Sequence, residues 1–211
     1  MKKVQEIRLA SDGSDIDCVL DEAGKFAESM ELSARDALRI RLLAEETMSM
    51  LRTLTGEMDL TLSFIGDENE CILSLATETR MDALKKDNIL SVSTTGKNCA
   101  AKGIMGKIRD VFETSFMMPT GASLQSCGTP VILLGLPADI PGGQTMDAVY
   151  WTLADYRKNV ENTQETEEGM ERWDELEKSI VSNIAEDVQV GVRGNHVLMN
   201  IVYKPLKGET E

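Results

Sequence analysis

SARDALRIRLLAEETMSMLRTLTGEMDLTLSFIGDENECILSL, residues 33–75, is the stretch from which the fold can be read. Its first half has the period of a helix. Ser33 followed three residues later by Asp36 makes a capping-box-like start. Ile40, Leu43, Thr47, Met50, Leu51 and Leu54 then recur at helical spacing and form one core stripe. The spacing predicts a helix over 34–54, stopped by Gly56. The second half switches to period two. Met58, Leu60, Leu62 and Phe64 alternate with polar residues, Gly66-Asp67-Glu68-Asn69 is turn chemistry, and Cys71, Leu73 and Leu75 alternate again. This is a β-hairpin with a four-residue connection.

Upstream, Val4, Ile7 and Leu9 sit in a short segment with the character of a strand, and a helix is expected over roughly Ile16–Met30. At the far end the same order returns. Trp173, Leu176, Ile180, Val181 and Ile184 define an amphipathic helix over 171–185. Val188, Val190 and Val192 alternate, Gly194-Asn195 turns the chain, and Val197, Met199, Ile201 and Tyr203 alternate again. Between the two halves the signal weakens. Residues 80–108 are rich in Lys, Gly, Ala and Met, with helix expected before Asn88 and from about Asn98; residues 119–143 are rich in Pro, Gly and Ser. A helix is expected over Met146–Val160, and Glu161–Glu168 reads as an acidic linker or solvated helix end. Helices followed by paired strands imply a two-layer α/β sandwich, one sheet covered on one face.

A chain of 211 residues suits one domain, or one domain with a sizeable insertion. Hydrophobic residues make up 42% of it, which excludes wholesale disorder. Aromatics are only 4% while Met numbers 12, so the core is expected to be aliphatic and Met-rich. The formal net charge of −14 repels phosphate backbones and anionic lipid, so neither nucleic acid nor membrane is an expected partner. No stretch approaches the roughly 18 apolar residues of a membrane span. The four cysteines, Cys18, Cys71, Cys99 and Cys127, form no Cys-x-x-Cys pair, and His196 is the one histidine. Zinc is therefore not expected, and scattered reduced thiols point to the cytosol. The charged start Met-Lys-Lys-Val-Gln-Glu has no hydrophobic signal core behind it.

The stretch IRLASDGSDIDCVLDEAGKFAESMELSARDALRIRLLAEETMSML resembles the opening of bacterial anti-sigma factor serine kinases, members of the GHKL (Bergerat-fold) ATPases that include histidine kinases. The end, ELEKSIVSNIAEDVQVGVRGNHVLMNIVYKPL, is similar to that family's last helix and closing hairpin. The likeness covers residues 4–77 and 170–206 and rests on pattern and order rather than on one motif. It implies a single histidine kinase-like ATPase domain over 1–211, with an atypical lid or insertion at about 80–168. It also implies a mixed, mostly antiparallel sheet with helices on one face.

In the family the long helix carries a glutamate that activates the attacking group and, four residues later, an asparagine that holds magnesium. The resemblance places these at Glu46 and Met50. A thioether is a poor ligand for a hard cation, so magnesium is not expected to be well held. Glu46 flanks the core stripe, whereas Glu45 lies beside Arg41 on an outer face; an ordinary boundary glutamate is the other reading of Glu46. The family's adenine-reading aspartate follows the second hairpin strand. Here that stretch offers Glu78 or Asp82 without the accompanying glycines. For the glycine-rich lid that cradles phosphate, STTGKNCAAKGIMGKIRD offers Gly96, Gly103 and Gly106 with Lys97, Lys102 and Lys107, the only basic concentration in the chain. A helix whose glycines pack closely on a neighbour fits the same letters.

Other motifs carry less. Thr95-Gly96-Lys97-Asn98 lacks the hydroxyl after Lys and the first glycine of a Walker A loop. Gly103-Ile104-Met105-Gly106 matches the GXXG loop of KH domains, but the net charge argues against RNA. Three functions remain from different classes. The leading one is a degenerate ATP-binding or regulatory domain acting through a protein partner, such as a sigma factor-like protein. The second is a pseudo-ATPase interaction module without nucleotide, and the third is an active serine kinase or ATPase with replaced ligands. A homodimer is a further expectation.

Overall fold

In the computed structural model the described residues are 3–9, 15–51, 59–67, 69–78, 149–193 and 196–206. The expected stop at Gly56 and the expectations for 80–148 lie outside them.

The chain opens with β1 (Lys3–Leu9) and α1 (Ile16–Ser29). Val19, Ala23, Phe26 and Ala27 give α1 its buried stripe. The helix ends in a Schellman arrangement: the Leu32 N–H donates to Ala27 O (3.1 Å) and the Glu31 N–H to Glu28 O (3.0 Å). Glu31 takes the left-handed backbone conformation that this ending requires (φ 55°). α2 (Ala34–Leu51) then starts on Ser33, whose Oγ accepts from Asp36 N at 3.1 Å. Ile40, Leu43, Thr47 and Met50 are buried as the spacing predicts, and Ala44 and Met48 join them.

The hairpin follows as β2 (Asp59–Gly66) and β3 (Cys71–Glu78), paired from Gly66↔Cys71 to Asp59↔Glu78. β4 (Val149–Thr152) precedes α3 (Leu153–Asn162), α4 (Glu167–Lys178) and α5 (Ile180–Ile184). β5 (Asp187–Arg193) and β6 (His196–Tyr203) close the chain as the second hairpin. The six strands form one sheet in the order β1-β2-β3-β6-β5-β4. Leu60, Leu62, Phe64, Leu73, Leu75 and Met199 point from its middle into the core, and α2 packs against α5 on that face. Ser63, Ser74, Asn200 and Gln189 stand in one cross-strand row on the opposite face. The α/β class agrees with the sequence reading.

Three expectations are corrected. All five described pairings are antiparallel, so the parallel part of a mixed sheet is not found among the described residues. The reason at the start is that two helices, not one, lie between β1 and β2: α1 returns the chain, α2 reverses it again, and β2 runs against β1. Residues 149–152 are strand where a helix over 146–160 was expected. The run Val-Tyr-Trp-Thr has β-branched and aromatic character, and Thr152 caps α3 by accepting from Asp155 N (3.0 Å). The expected helix 171–185 is two helices. Ser179 adopts extended backbone and caps α5, its Oγ accepting from Ser182 N at 3.2 Å.

α1 sits down directly on β2. Phe26 and Phe64 have ring centroids 5.6 Å apart, and Gly66 makes room: a Cβ there would lie 2.7 Å from Phe26 Cζ. Among the described residues no helix is long and apolar enough to cross a membrane.

Candidate functional site

The direction of α2 follows from its two ends. At its start, Asp36 is buried and accepts a hydrogen bond from the Tyr203 hydroxyl, and Tyr203 is the register partner of Cys71 at the start of β3. One turn on, Ile40 and Leu43 share a crevice with Leu73 and Ile201. The helix therefore runs along β3 in the same direction. Met50 is fourteen residues past Asp36, about 21 Å at helical rise, and Thr77 is six past Cys71, about 20 Å at strand rise. The last turns of α2, with Glu46 and Met50, come level with the far end of β3.

Three groups there have unusual environments. Glu46 is half-buried while Glu45 is exposed, as the helix phase predicts. Burial, and then the neighbouring charge of Glu45, pushes the Glu46 carboxyl above its ordinary range. A carboxylate so placed is a better proton acceptor than one in water. Met50 is 4% exposed and belongs to the hydrophobic core. Thr77 is also 4% exposed, faces the helical layer, and its hydroxyl has no hydrogen-bond partner. A buried unsatisfied hydroxyl costs about 1–3 kcal/mol, so it needs an explanation. Thr77 was not singled out from the sequence, although a signal was there: it is the polar member of the inward phase Cys71, Leu73, Leu75, Thr77.

The other candidates divide between one placed residue and several that are not. Glu78 ends β3, in register with Asp59 and His196. Asp82, Lys97, Lys102, Gly103 and Gly106 lie outside the described residues, as do Gly96 and Lys107. The structure thus brings Glu46, Met50 and Thr77 to one end of the sandwich. Among the described residues no three His, Cys, Asp or Glu side chains gather as a metal site.

The opposite end of α2 is polar but closed. Asp36 accepts from Ser33 Oγ (2.6 Å), from the Tyr203 hydroxyl and from Leu206 N (3.3 Å), while Arg39 Nη1 donates to the Tyr203 hydroxyl at 3.4 Å. Burial pushes the Asp36 carboxyl up, but the hydrogen bonds from Ser33, Tyr203 and Leu206, with the charge of Arg39, hold it below its usual range. With its donors supplied from within the fold, this cluster ties the C-terminal tail to α2 and has the character of a clasp. Arg157 does similar work elsewhere, donating to Ser182 O, to Ala185 O (3.2 Å) and to Glu186 O (3.0 Å) at the end of α5.

No protein-family model matches the chain, and no curated protein matches it at a significant level.

Proposed function

We propose that this chain is a degenerate GHKL-type ATP-binding or regulatory domain that acts through a protein partner. The observation that carries the reading is that half-buried Glu46 on α2 and the unpartnered Thr77 hydroxyl on β3 lie toward the same end of the sheet. The order of β1, α1, α2 and the first hairpin, with a helix and hairpin at the end, supports the same family. A hydroxyl that both donates and accepts suits an adenine edge. Glu46 supplies a partly desolvated carboxylate toward the same end of the sheet, on a helix.

The residues fit adenine better than they fit a metal. The position one turn past Glu46 is Met50, a buried thioether, which does not fit magnesium. Phosphoryl transfer relies on cationic charge at the phosphates and on a positioned base. The expected activity is therefore binding and regulation rather than turnover. The partner is proposed as a sigma factor-like or other regulatory protein, and the compartment as the cytosol.

A second reading, an interaction module without nucleotide, is favoured by one observation: Met50 fills space as a core residue. Calorimetric titration with ATP, with and without magnesium, separates the two. The first reading expects binding that changes little with magnesium, and Thr77→Val should weaken it while raising the urea midpoint, because a buried orphan hydroxyl is removed. No heat and no competition by ADP would establish the interaction-module reading instead. Phosphate release by the wild type that Glu46→Ala abolishes would overturn both and leave an active kinase or ATPase. Met50→Asn is the gain-of-function control, since it restores an oxygen ligand one turn beyond Glu46.

A further inference from the structure

We propose that the outer face of the first turns of α2, formed by Arg35, Leu38, Arg39 and Leu42, docks an acidic amphipathic helix of a partner protein. The proposal rests on the partner half of the preceding reading, to which it gives a surface and a chemistry, and not on nucleotide.

Helix phase sets the surface. Asp36, Ile40, Leu43 and Thr47 are buried and define the inner face of α2. Arg35, Leu38, Arg39 and Leu42 follow one another at i, i+3, i+4 and i+7, so they form a separate stripe along the helix. Arg35 is exposed and Leu38 is 57% exposed, while Arg39 and Leu42 are half-buried. A single exposed leucine needs no explanation. Here each leucine stands three residues past an arginine, which makes one basic and apolar strip.

Charge then selects the occupant. Residues 31–46 hold three arginines against four acids, so the letters alone show no basic character. Folding changes the balance at the helix start. Asp36 is 1% exposed, and its carboxylate is occupied by Ser33, Tyr203 and Leu206. From Arg35 to Leu42 no acid is exposed, in a chain of net charge −14. Arg35 makes no hydrogen bond or ion pair with a described residue, and in the first turn its charge opposes the helix dipole. It therefore does nothing for the helix itself. Arg39 is steadied from one side, its Nη1 donating to the Tyr203 hydroxyl at 3.4 Å, and the planar guanidinium has further donors in a fixed fork suited to a carboxylate.

A partner helix fits this strip residue by residue. Carboxylates one turn apart match Arg35 and Arg39, and apolar residues on the same face cover Leu38 and Leu42. One turn past Leu42 the stripe meets Glu46, whose charge turns an acidic partner away and confines docking to the helix start. A bilayer is a poorer match, because a flat anionic surface would meet exposed Glu31 and Glu45 together with the arginines.

Fluorescence anisotropy on the full chain at about 0.15 M salt tests the surface. The probe is a labelled synthetic helix of about 15 residues, with Glu at i and i+4, Leu at i+3 and i+7, and no basic residue. Half-saturation is expected at about 10–100 μM. Arg35→Glu and Leu38→Ser, both at exposed positions, should each weaken binding at least about fivefold without lowering the urea midpoint. Arg41→Glu makes the same change in net charge on another side of the helix, and should alter binding less than about twofold. A probe with Lys in place of its glutamates should prefer Arg35→Glu to the wild type. Titration with ATP separates this surface from the nucleotide reading, since Arg35→Glu and Leu38→Ser should leave the wild-type behaviour unchanged. ATP binding without probe binding would overturn the docking surface and leave the nucleotide site standing. Equal losses in Arg35→Glu and Arg41→Glu would overturn it too, as would binding to phosphatidylserine vesicles with the same dependence on Arg35 and Leu38.

Discussion

Removing the carboxylate of Asp36 should cost far more than its place in the first turn of a helix suggests. Asp36 is 1% exposed and gathers three donors from two parts of the chain: Ser33 Oγ at 2.6 Å, and Leu206 N at 3.3 Å with the Tyr203 hydroxyl. Tyr203 is itself 1% exposed. In Asp36→Ala the helix keeps its Ser33 cap, but the Tyr203 hydroxyl loses its acceptor and is left as a buried donor. A hydrogen bond to a charged acceptor contributes about 1.5–3 kcal/mol, and an orphaned buried donor costs about 1–3 kcal/mol. These overlap, since both describe the same broken contact, so the expected loss is about 3–5 kcal/mol. Tyr203→Phe deletes the donor as well as the contact, and should lose only about 1–2 kcal/mol. Urea unfolding followed by circular dichroism reads both; the Asp36→Ala loss corresponds to a midpoint shift of about 1–2 M. The double variant should fall short of the sum of the singles, because the two residues are one contact. The carboxyl is held below its usual range, so its contribution is present above the unfolded value and lost as pH falls through the folded one. The advantage of wild type over Asp36→Asn should therefore be full at neutral pH and shrink below about pH 4. An Asp36→Ala loss under about 0.5 kcal/mol, or strict additivity with Tyr203→Phe, would refute the clasp.

Leu43→Ala should lose about 2–5 kcal/mol, since Leu43 is fully buried, whereas Glu45→Ala on the exposed face should stay within roughly 0.5 kcal/mol. Equal losses in a urea melt would mean that the face of α2 has been misassigned. Glu46→Gln tests the desolvated carboxylate. Its pKa is raised, so the charged form is disfavoured in the fold, and stability falls as pH rises from the ordinary value through the raised one. Glu46→Gln should therefore be more stable than wild type at pH 7, by up to roughly 0.5 kcal/mol for a partly exposed group. The gain should vanish below about pH 4, and a gain that persists there would show that the carboxyl is not desolvated.

The elements that were legible are those in which one period holds long enough to define a face. α2 and both hairpins are of this kind: the selected residues whose burial is described are all buried, and Ala44, Met48 and Thr77 join them. The misplaced elements are short and set by partners distant in sequence. Val149–Thr152 runs into Leu153 with no turn residue between them, so locally the run looks like the first turn of the helix. Only pairing with β5, from Val149↔Val192 to Thr152↔Gln189, makes it strand. Ser179 is similar. An amphipathic stripe continues across it from Leu176 to Val181, and the break comes from its hydroxyl capping the second segment.

At the candidate site the same distinction separates what spacing can place from what it cannot. Helix phase alone distinguishes Glu46 from Glu45, because one residue of rotation carries a side chain from the core margin to the outer face. Strand phase puts Thr77 inward, and burial then turns an ordinary threonine into an orphan hydroxyl. Neither phase says that the two residues lie at the same end of the sandwich. That depends on α2 running along β3, which the Asp36–Tyr203 contact fixes across 167 residues of chain. The closed polar cluster at one end of the helix therefore sets the position of Glu46 at the other. A substitution that loosens the clasp should disturb Glu46 and Thr77 by letting α2 shift along the sheet, although it touches neither residue.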